Sequence, residues 1–153
     1  MMIIRRFRNE DAEEISKIIQ RCFETLDIGR HTKEGITLQI KYNSPKNLIE
    51  NSKKINYFVV EIDGKPIGIC GYDEIKLCTF FIDIHHQKTG IGSKLLLKVL
   101  EEAKNKGITK LKLWSTLFAR PFYSKHGFKG SKELKLPEGK EDIILIEMEK
   151  NLD

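Results

Sequence analysis

The stretch from Leu77 to Gly107 leaves this chain few ways to fold. An apolar run, Leu77 to Ile84, is followed almost at once by Gln87-Lys88-Thr89-Gly90-Ile91-Gly92, and then by Leu95, Leu96, Val99, Leu100 and Ala103 at helical spacing. A short apolar run bounded by glycine reads as a buried strand, and apolar residues three and four apart mark one face of a helix. Gly107, just past the last apolar position, predicts a left-handed helix stop. A strand handed through a glycine turn into an amphipathic helix is a joint of α/β architecture.

Gly90 and Gly92 stand where that helix begins, so backbone N–H groups there lack intrahelical partners. Several amides converging at a helix N-terminus, with no Cβ to hold a ligand off, suit a pyrophosphate. The same glycines also serve a turn that needs only their conformational freedom, and both readings stand on this segment alone. Two common phosphate motifs are excluded. A dinucleotide fingerprint needs glycine where Leu95 stands, and a P-loop needs Gly-Lys-Ser/Thr where the chain has Gly92-Ser93-Lys94.

The run Ile82-Asp83-Ile84-His85-His86-Gln87-Lys88-Thr89-Gly90-Ile91-Gly92 resembles the V-x-P-x-x-Q/R-x-x-G-x-G/A pattern of the GCN5-related N-acetyltransferase superfamily, with Ile84 in the usual proline position. Downstream, Ala119-Arg120-Pro121-Phe122-Tyr123-Ser124-Lys125-His126-Gly127-Phe128 is similar to that family's A-x-x-F-Y-x-K-x-G-F signature, in the right order after the cofactor helix. The resemblance implies an α/β (α+β) fold, a single domain over residues 1–153 with a mixed central sheet of about six or seven strands flanked by about four helices. It implies acetyl-CoA as acyl donor and a primary amine as acceptor, joined by direct attack.

Residue by residue, the resemblance has amides of Gln87, Lys88, Thr89, Gly90, Ile91, Gly92 and Ser93 holding the CoA pyrophosphate. Main-chain groups around Ile82, Asp83 and Ile84 would pair with the pantetheine arm. The Ile82 amide would polarise the thioester carbonyl, where one such donor is typically worth ~2.7–4 kcal/mol of barrier. Tyr123 takes the family's general-acid position, since a phenol of pKa ~10 can share a proton with a departing thiol of ~8.5. Without the resemblance, a Phe-Tyr pair on a short helix reads as core packing. Phe122 is expected in the core and Gly127 in the turn to the next strand. A base for the amine is expected at Glu74, with Asp73 beside it, where family members often place an acid.

The remaining chain reads as Met2–Phe7 strand, then a helix starting at Asp11 with Glu14 three residues on, burying Ala12, Ile15, Ile19, Cys22, Phe23 and Leu26. A second helical region, Thr32 to Lys53, breaks at Ser44-Pro45 into two short helices. Tyr57–Ile62 and Ile67–Tyr72 flank Asp63-Gly64 as a hairpin. Leu111–Ser115 is a strand, Pro121–Lys125 a short helix, and Ile143–Met148 a strand after a turn at Pro137-Glu138-Gly139. The order is β-α-α-β-β-β-α-β-α-β-β.

Composition narrows the function. With 153 residues the chain has the length of one domain, so cofactor and substrate are expected to share a fold. No apolar run approaches a membrane span, and Met1-Met2-Ile3-Ile4-Arg5-Arg6 lacks the features of a secretory leader, which predicts a cytoplasmic protein. The formal charge of +5 comes without a basic run interleaved with aromatics, so no nucleic-acid partner is expected. Cys22, Cys70 and Cys78 have no C-x-x-C spacing and read as core thiols; His31 and His126 lack ligand neighbours, so no metal site is expected. His85 and His86 would point to opposite faces of a strand, and Lys88, Lys94 and Lys98 either meet CoA phosphates or form a solvated face. The acceptor wall is expected from residues 28–55 and 131–142, the latter including an exposed hairpin loop. The acceptor itself is a small amine, favoured for a lone domain, or a protein amino group. A non-catalytic CoA or nucleotide sensor is the alternative, and homodimerisation through edge strands stays open.

Overall fold

The computed structural model describes residues 1–25, 31–136 and 143–153. Leu26, the turn at Pro137-Glu138-Gly139, and parts of the two anticipated acceptor-wall segments lie outside them. In chain order the elements are β1 (Met2–Arg6), α1 (Ala12–Thr25), α2 (Lys33–Tyr42), α3 (Pro45–Asn51), β2 (Asn56–Ile62), β3 (Lys65–Tyr72), β4 (Leu77–Ile82), α4 (Ile91–Asn105), β5 (Lys110–Ser115), α5 (Arg120–Lys125), β6 (Lys129–Leu136) and β7 (Ile143–Asn151). The expected α/β class holds, with five α-helices among the described residues because the second helical region divides. Thr32 Oγ1 accepts from the Gly35 amide and Ser44 Oγ from the Asn47 amide, so each piece carries its own N-cap, with Pro45 opening the second.

The seven strands form two antiparallel sheets, β1-β2-β3-β4 and β5-β7-β6. Between them a parallel bridge joins Lys76 to Lys112, where the Lys112 amide donates to Ile75 O at 3.0 Å. Beyond that bridge β4 and β5 pair no further among the described residues, and the seam opens into a cleft. The β2–β3 hairpin is closed by Asp63 at φ 50° and Gly64 at φ 81°, the two positive angles of a type I′ turn, whose twist matches the strands.

Both faces of the first sheet are covered, so β2 and β3 read as continuous apolar runs instead of alternating ones. On one face α1 lays Ile15, Ile18, Ile19 and Cys22 against Val59 and Ile69. On the other, α4 lays Leu95, Leu96, Val99 and Ala103 against Val60, Ile67 and, across the seam, Leu111, Leu113 and Ile146. Helix α4 therefore bridges the two sheets from behind. Its C-terminus is a Schellman motif: Gly107, at φ 89°, donates to Lys104 O at 2.9 Å and Ile108 to Ala103 O at 3.1 Å.

Two expected boundaries move. The first helix does not start with Asp11 as its cap. Asp11 is buried at the end of a 3₁₀ turn, Asn9–Asp11, where Oδ2 accepts from the Arg8 amide at 2.8 Å and the two carboxylate oxygens take a bidentate pair from Arg5 at 2.8 and 2.9 Å. Arg5 Nε also donates to Glu61 at 2.9 Å, so one guanidinium fastens β1 to β2 and to the start of α1. The second shift is at β4, which ends at Ile82, short of Ile84. Asp83 accepts from the His85 amide and His86 N donates to Asp83 O, turning Ile84–His86 into a 3₁₀ turn; His85 and His86 are not on a strand.

Candidate active site

The cleft at the β4–β5 seam has a volume of about 1200 Å³. Its edge is set by the register of β4. The Asp83 amide donates to Ile67 O at 2.8 Å, and Gly68 lies opposite Ile82. Because antiparallel partners alternate between exchanging hydrogen bonds and facing outward, Phe81 points its main-chain groups at β3 while Phe80 and Ile82 point theirs at the open seam. The Ile82 carbonyl is taken by Gln87 Nε2 at 2.9 Å and Cys22 Sγ at 3.3 Å. The Gln87 side chain thus ties the glycine turn to the end of β4.

Gly90 closes that turn at φ 85°, after Lys88 at φ 60°. As N-cap of α4, Gly90 brings no side-chain acceptor, and its carbonyl takes the Lys94 amide at 3.2 Å. The first-turn amides of Ile91, Gly92 and Ser93 are the donors that every helix leaves without an intrahelical partner. A Cβ on Gly90 would meet nothing within 4 Å, so glycine is needed there for its backbone angle. A Cβ on Gly92 would sit 3.7 Å from Ile82 and 3.8 Å from Phe122, ordinary contacts, so its room lies on the cleft side. Lys88, on the turn, and Lys125, the last residue of α5, also line the cleft. Unpaired helix-start amides, a glycine approach and two cations fit a pyrophosphate.

Ser93 Oγ lies 2.9 Å from His126 Nε2, and the His126 ring tilts against Phe122 at 4.7 Å. Burial, with Lys125 and Lys150 close by, lowers the His126 pKa and favours the neutral ring. This contact joins α4 to α5 across 33 residues, and no spacing in the sequence announces it.

Tyr123 reaches the cleft from α5, buried among Phe80, Phe122 and Phe128 with ring centroids 5.6–6.1 Å away. Burial first, and Cys70 second, push its phenol far above the ordinary tyrosine value, so it keeps its proton. Phe122, expected in the core, is only partly buried and also lines the cleft. Gly127 does turn the chain, at φ 90°.

The other expected site residues divide. Asp83 is committed to the fold: its amide goes to Ile67, and its buried carboxylate caps His85 and faces Arg21 at 3.7 Å. Ile84 packs on the α1 cluster and does not itself line the cleft. Thr89 is exposed, with Oγ1 donating to His86 O at 2.5 Å, and the Ile91 side chain is buried. Lys98 pairs with Glu102, as a solvated helix face would.

Glu74 is exposed on the β3–β4 turn and does not line the cleft, whereas Asp73 does. Asp73 Oδ1 accepts from the amides of Ile75 and Lys76, both at 2.8 Å, and Oδ2 lies 3.6 Å from Cys78 Sγ. Burial, reinforced by Asp73, pushes the Cys78 thiol up to about 12; burial takes Cys22 to about 12 and Cys70 well above the ordinary thiol range. All three stay protonated, and two line the cleft. No group of three or more metal-ligating side chains is found among the described residues.

A model of the acetyltransferase (GNAT) domain family matches residues 26–152. The chain belongs to the GNAT acetyltransferase family. A curated relative, an uncharacterized N-acetyltransferase of Methanocaldococcus jannaschii, is 30% identical over 93 residues, 52% of this chain and 41% of that protein. The match thus spans about two fifths of that relative's length. Among solved structures, the PaiA N-acetyltransferase of Thermoplasma acidophilum, in complex with coenzyme A, superposes with a TM-score of 0.81 at 23% identity, covering 99% of both chains. A GCN5-related N-acetyltransferase from Rhodopseudomonas palustris gives 0.87 at 15% identity over 97% of this chain and 94% of its own. The ribosomal-protein-S18-alanine N-acetyltransferase of Escherichia coli gives 0.74 at 18% identity, covering all of this chain and 95% of its own. At these identities the likeness is one of GNAT fold. No described helix of this GNAT chain is long and apolar enough to cross a membrane.

Proposed function

We propose that this GNAT chain moves an acetyl group from acetyl-CoA to the primary amine of a small molecule by direct attack. The observation that carries the reading is the convergence, on one cleft, of the outward edge of β4 at Ile82, the uncapped start of α4 and the protonated Tyr123. Acetyl-CoA supplies an acyl group already activated as a thioester. The amides of Ile91, Gly92 and Ser93, with Lys88 and Lys125, bind its pyrophosphate. The outward edge of β4 receives the pantetheine arm, and the outward Ile82 N–H, whose own carbonyl is taken by Gln87 and Cys22, donates to the acyl oxygen, where charge develops. As the C–S bond breaks, Tyr123 supplies a proton to the leaving sulfur and is reprotonated with the proton the amine gives up.

We assign proton uptake from the arriving amine, directly or through one water, to Asp73, which lines the cleft, in place of the exposed Glu74. Direct attack is favoured over a covalent acyl-enzyme because the cleft thiols are held protonated by burial, and a thiolate is the nucleophile such a route needs. A small acceptor is favoured because side chains of α2 (Leu38, Gln39, Tyr42) line the cleft together with Trp114 and Phe118, giving it walls.

The test is calorimetric titration with acetyl-CoA, with dephospho-CoA and ATP as comparators, followed by free-thiol release in the presence of amines. Micromolar binding of acetyl-CoA in preference to ATP, with amine-dependent thiol release, is expected. Preference for ATP would overturn the cofactor assignment. Tight acetyl-CoA binding with thiol release at background for every amine would instead identify a sensor.

A further inference from the structure

The acceptor half of the cleft carries charges that acetyl transfer itself does not use. Lys76, at the head of β4, and Lys54, just past α3, both line it. Lys76 is half-buried, its Nζ 4.2 Å from the centroid of the Trp114 ring, a contact that holds the ammonium over the indole and inside the cleft. Lys54 is exposed on the wall contributed by the helices. Neither forms an ion pair among the described residues, whereas nearby Lys53 pairs with Glu50 at 3.1 Å.

Asp73 is the single acidic side chain among the described residues lining the cleft, and two backbone amides fix its position. The rest of this half is neutral, with Gln39, Asn43, Asn51 and Thr79 as polar groups and Tyr42 as an aromatic wall. One fixed carboxylate and two ammonium groups without an ion-pair partner, lining one cleft, complement a molecule carrying both signs of charge. An acceptor with several ammonium groups and no anion would bring like charges to Lys54 and Lys76 in a partly desolvated space, which is unfavourable.

We infer that the acceptor is a small amine that also bears a carboxylate or a phosphate, its amine toward Asp73 and its anion toward Lys76 and Lys54. The inference rests on the acetyltransferase reading above and narrows its substrate class. A charge-assisted hydrogen bond from a half-buried ammonium is worth on the order of tenfold to a hundredfold in affinity.

The experiment compares kcat/KM for matched acceptors: tyrosine against tyramine for the carboxylate, phosphoethanolamine against ethanolamine for the phosphate, and spermidine as a polycation. At least one anionic member is expected to be preferred roughly tenfold or more over its partner. Lys76→Met keeps an apolar stem over Trp114 and is expected to bring that ratio close to one without changing acetyl-CoA affinity; Lys76→Arg is expected to retain most of it. Ratios of one or below in both pairs, spermidine as the best acceptor, or a ratio unchanged in Lys76→Met would each overturn the inference. If no acceptor is turned over, the same pairs are titrated calorimetrically onto wild type and Lys76→Met with CoA present, and equal affinities would overturn it as well. Anion-dependent binding by a protein that fails to bind acetyl-CoA would sink the acetyltransferase reading, and with it the acceptor role, leaving only a cleft that binds anionic amines.

Discussion

Replacing Gly92 by alanine separates the demands of the fold from those of the ligand. Gly92 is the second residue of α4 and has no positive φ, and an added methyl meets Ile82 and Phe122 at 3.7 and 3.8 Å, ordinary van der Waals distances. Nothing in the fold opposes the change. Alanine restricts the unfolded chain and favours the helix by roughly 0.5–1 kcal/mol, which raises Tm by about 1–4 °C in a domain of this length. The methyl occupies the approach to the amides of Ile91, Gly92 and Ser93. Losing one charge-assisted hydrogen bond to a phosphate costs about 1.5–3 kcal/mol, so acetyl-CoA affinity should fall roughly tenfold to a hundredfold. Circular dichroism melting and calorimetric titration of one variant read the two effects separately. A higher Tm with wild-type affinity would refute the phosphate site, and a lower Tm would refute the geometry of the turn. Gly90→Ala is the control, since its φ of 85° makes alanine cost about 1–2 kcal/mol of stability although no neighbour lies within 4 Å.

Tyr123→Phe should lower kcat by roughly 10²-fold while acetyl-CoA affinity stays close to wild type; unchanged turnover would remove Tyr123 as the acid. Because burial pushes that phenol upward, wild-type activity should show no alkaline loss attributable to Tyr123 below about pH 10, and a lower limb that disappears in the phenylalanine variant would contradict this. Asp11→Ala should destabilise by about 1.5–3 kcal/mol, because it removes the bidentate pair with Arg5 while Arg5 keeps Glu61, and chemical unfolding at pH 7 measures it. Burial acts to raise the Asp11 pKa, but the Arg5 hydrogen bonds and the Arg8 amide outweigh it, so the folded value lies below the ordinary one. Its stabilisation is therefore complete above about pH 4 and lost as the pH falls through the folded value, and the acid-side slope should flatten in the variant. Gly71→Ala places a Cβ 2.5 Å from the Tyr57 ring and 2.8 Å from Ile55, and overpacking of this kind costs about 1–3 kcal/mol, visible as a lower Tm.

What the sequence discloses here is what neighbouring residues decide. The type I′ turn at Asp63-Gly64, the break at Ser44-Pro45, the apolar face of α4 and the stop at Gly107 each depend on a few adjacent side chains, and each is where the pattern puts it. The glycine turn belongs with them, since Gly90 needs its left-handed angle and the strand before it is in place. The misplaced features depend on hydrogen bonds whose outcome the pattern leaves open. Ile84 continues an apolar run, and the Asp83 carboxylate and carbonyl, taking the His85 and His86 amides, end the strand two residues early. Asp73 and Glu74 are adjacent acids at one strand end, so composition places a carboxylate near the cleft without choosing between them. The choice is made when Asp73 turns back onto the amides of Ile75 and Lys76, which leaves Glu74 in solvent.

The open seam is the least visible feature and the one the proposed chemistry depends on. A fully paired β4–β5 ladder would consume the outward N–H of Ile82 and close the path between the start of α4 and Tyr123. Pairing stops at Lys76 and Lys112, while α4 behind the seam packs Leu95, Leu96 and Val99 into one core with residues of both sheets. The hydrophobic contacts of α4 therefore hold the sheets together where hydrogen bonds do not, and the unpaired edge of β4 can be kept for a ligand. Polar substitution at Leu96 or Val99 would on this argument damage the site through the spacing of the sheets, with no contact to the cleft of its own.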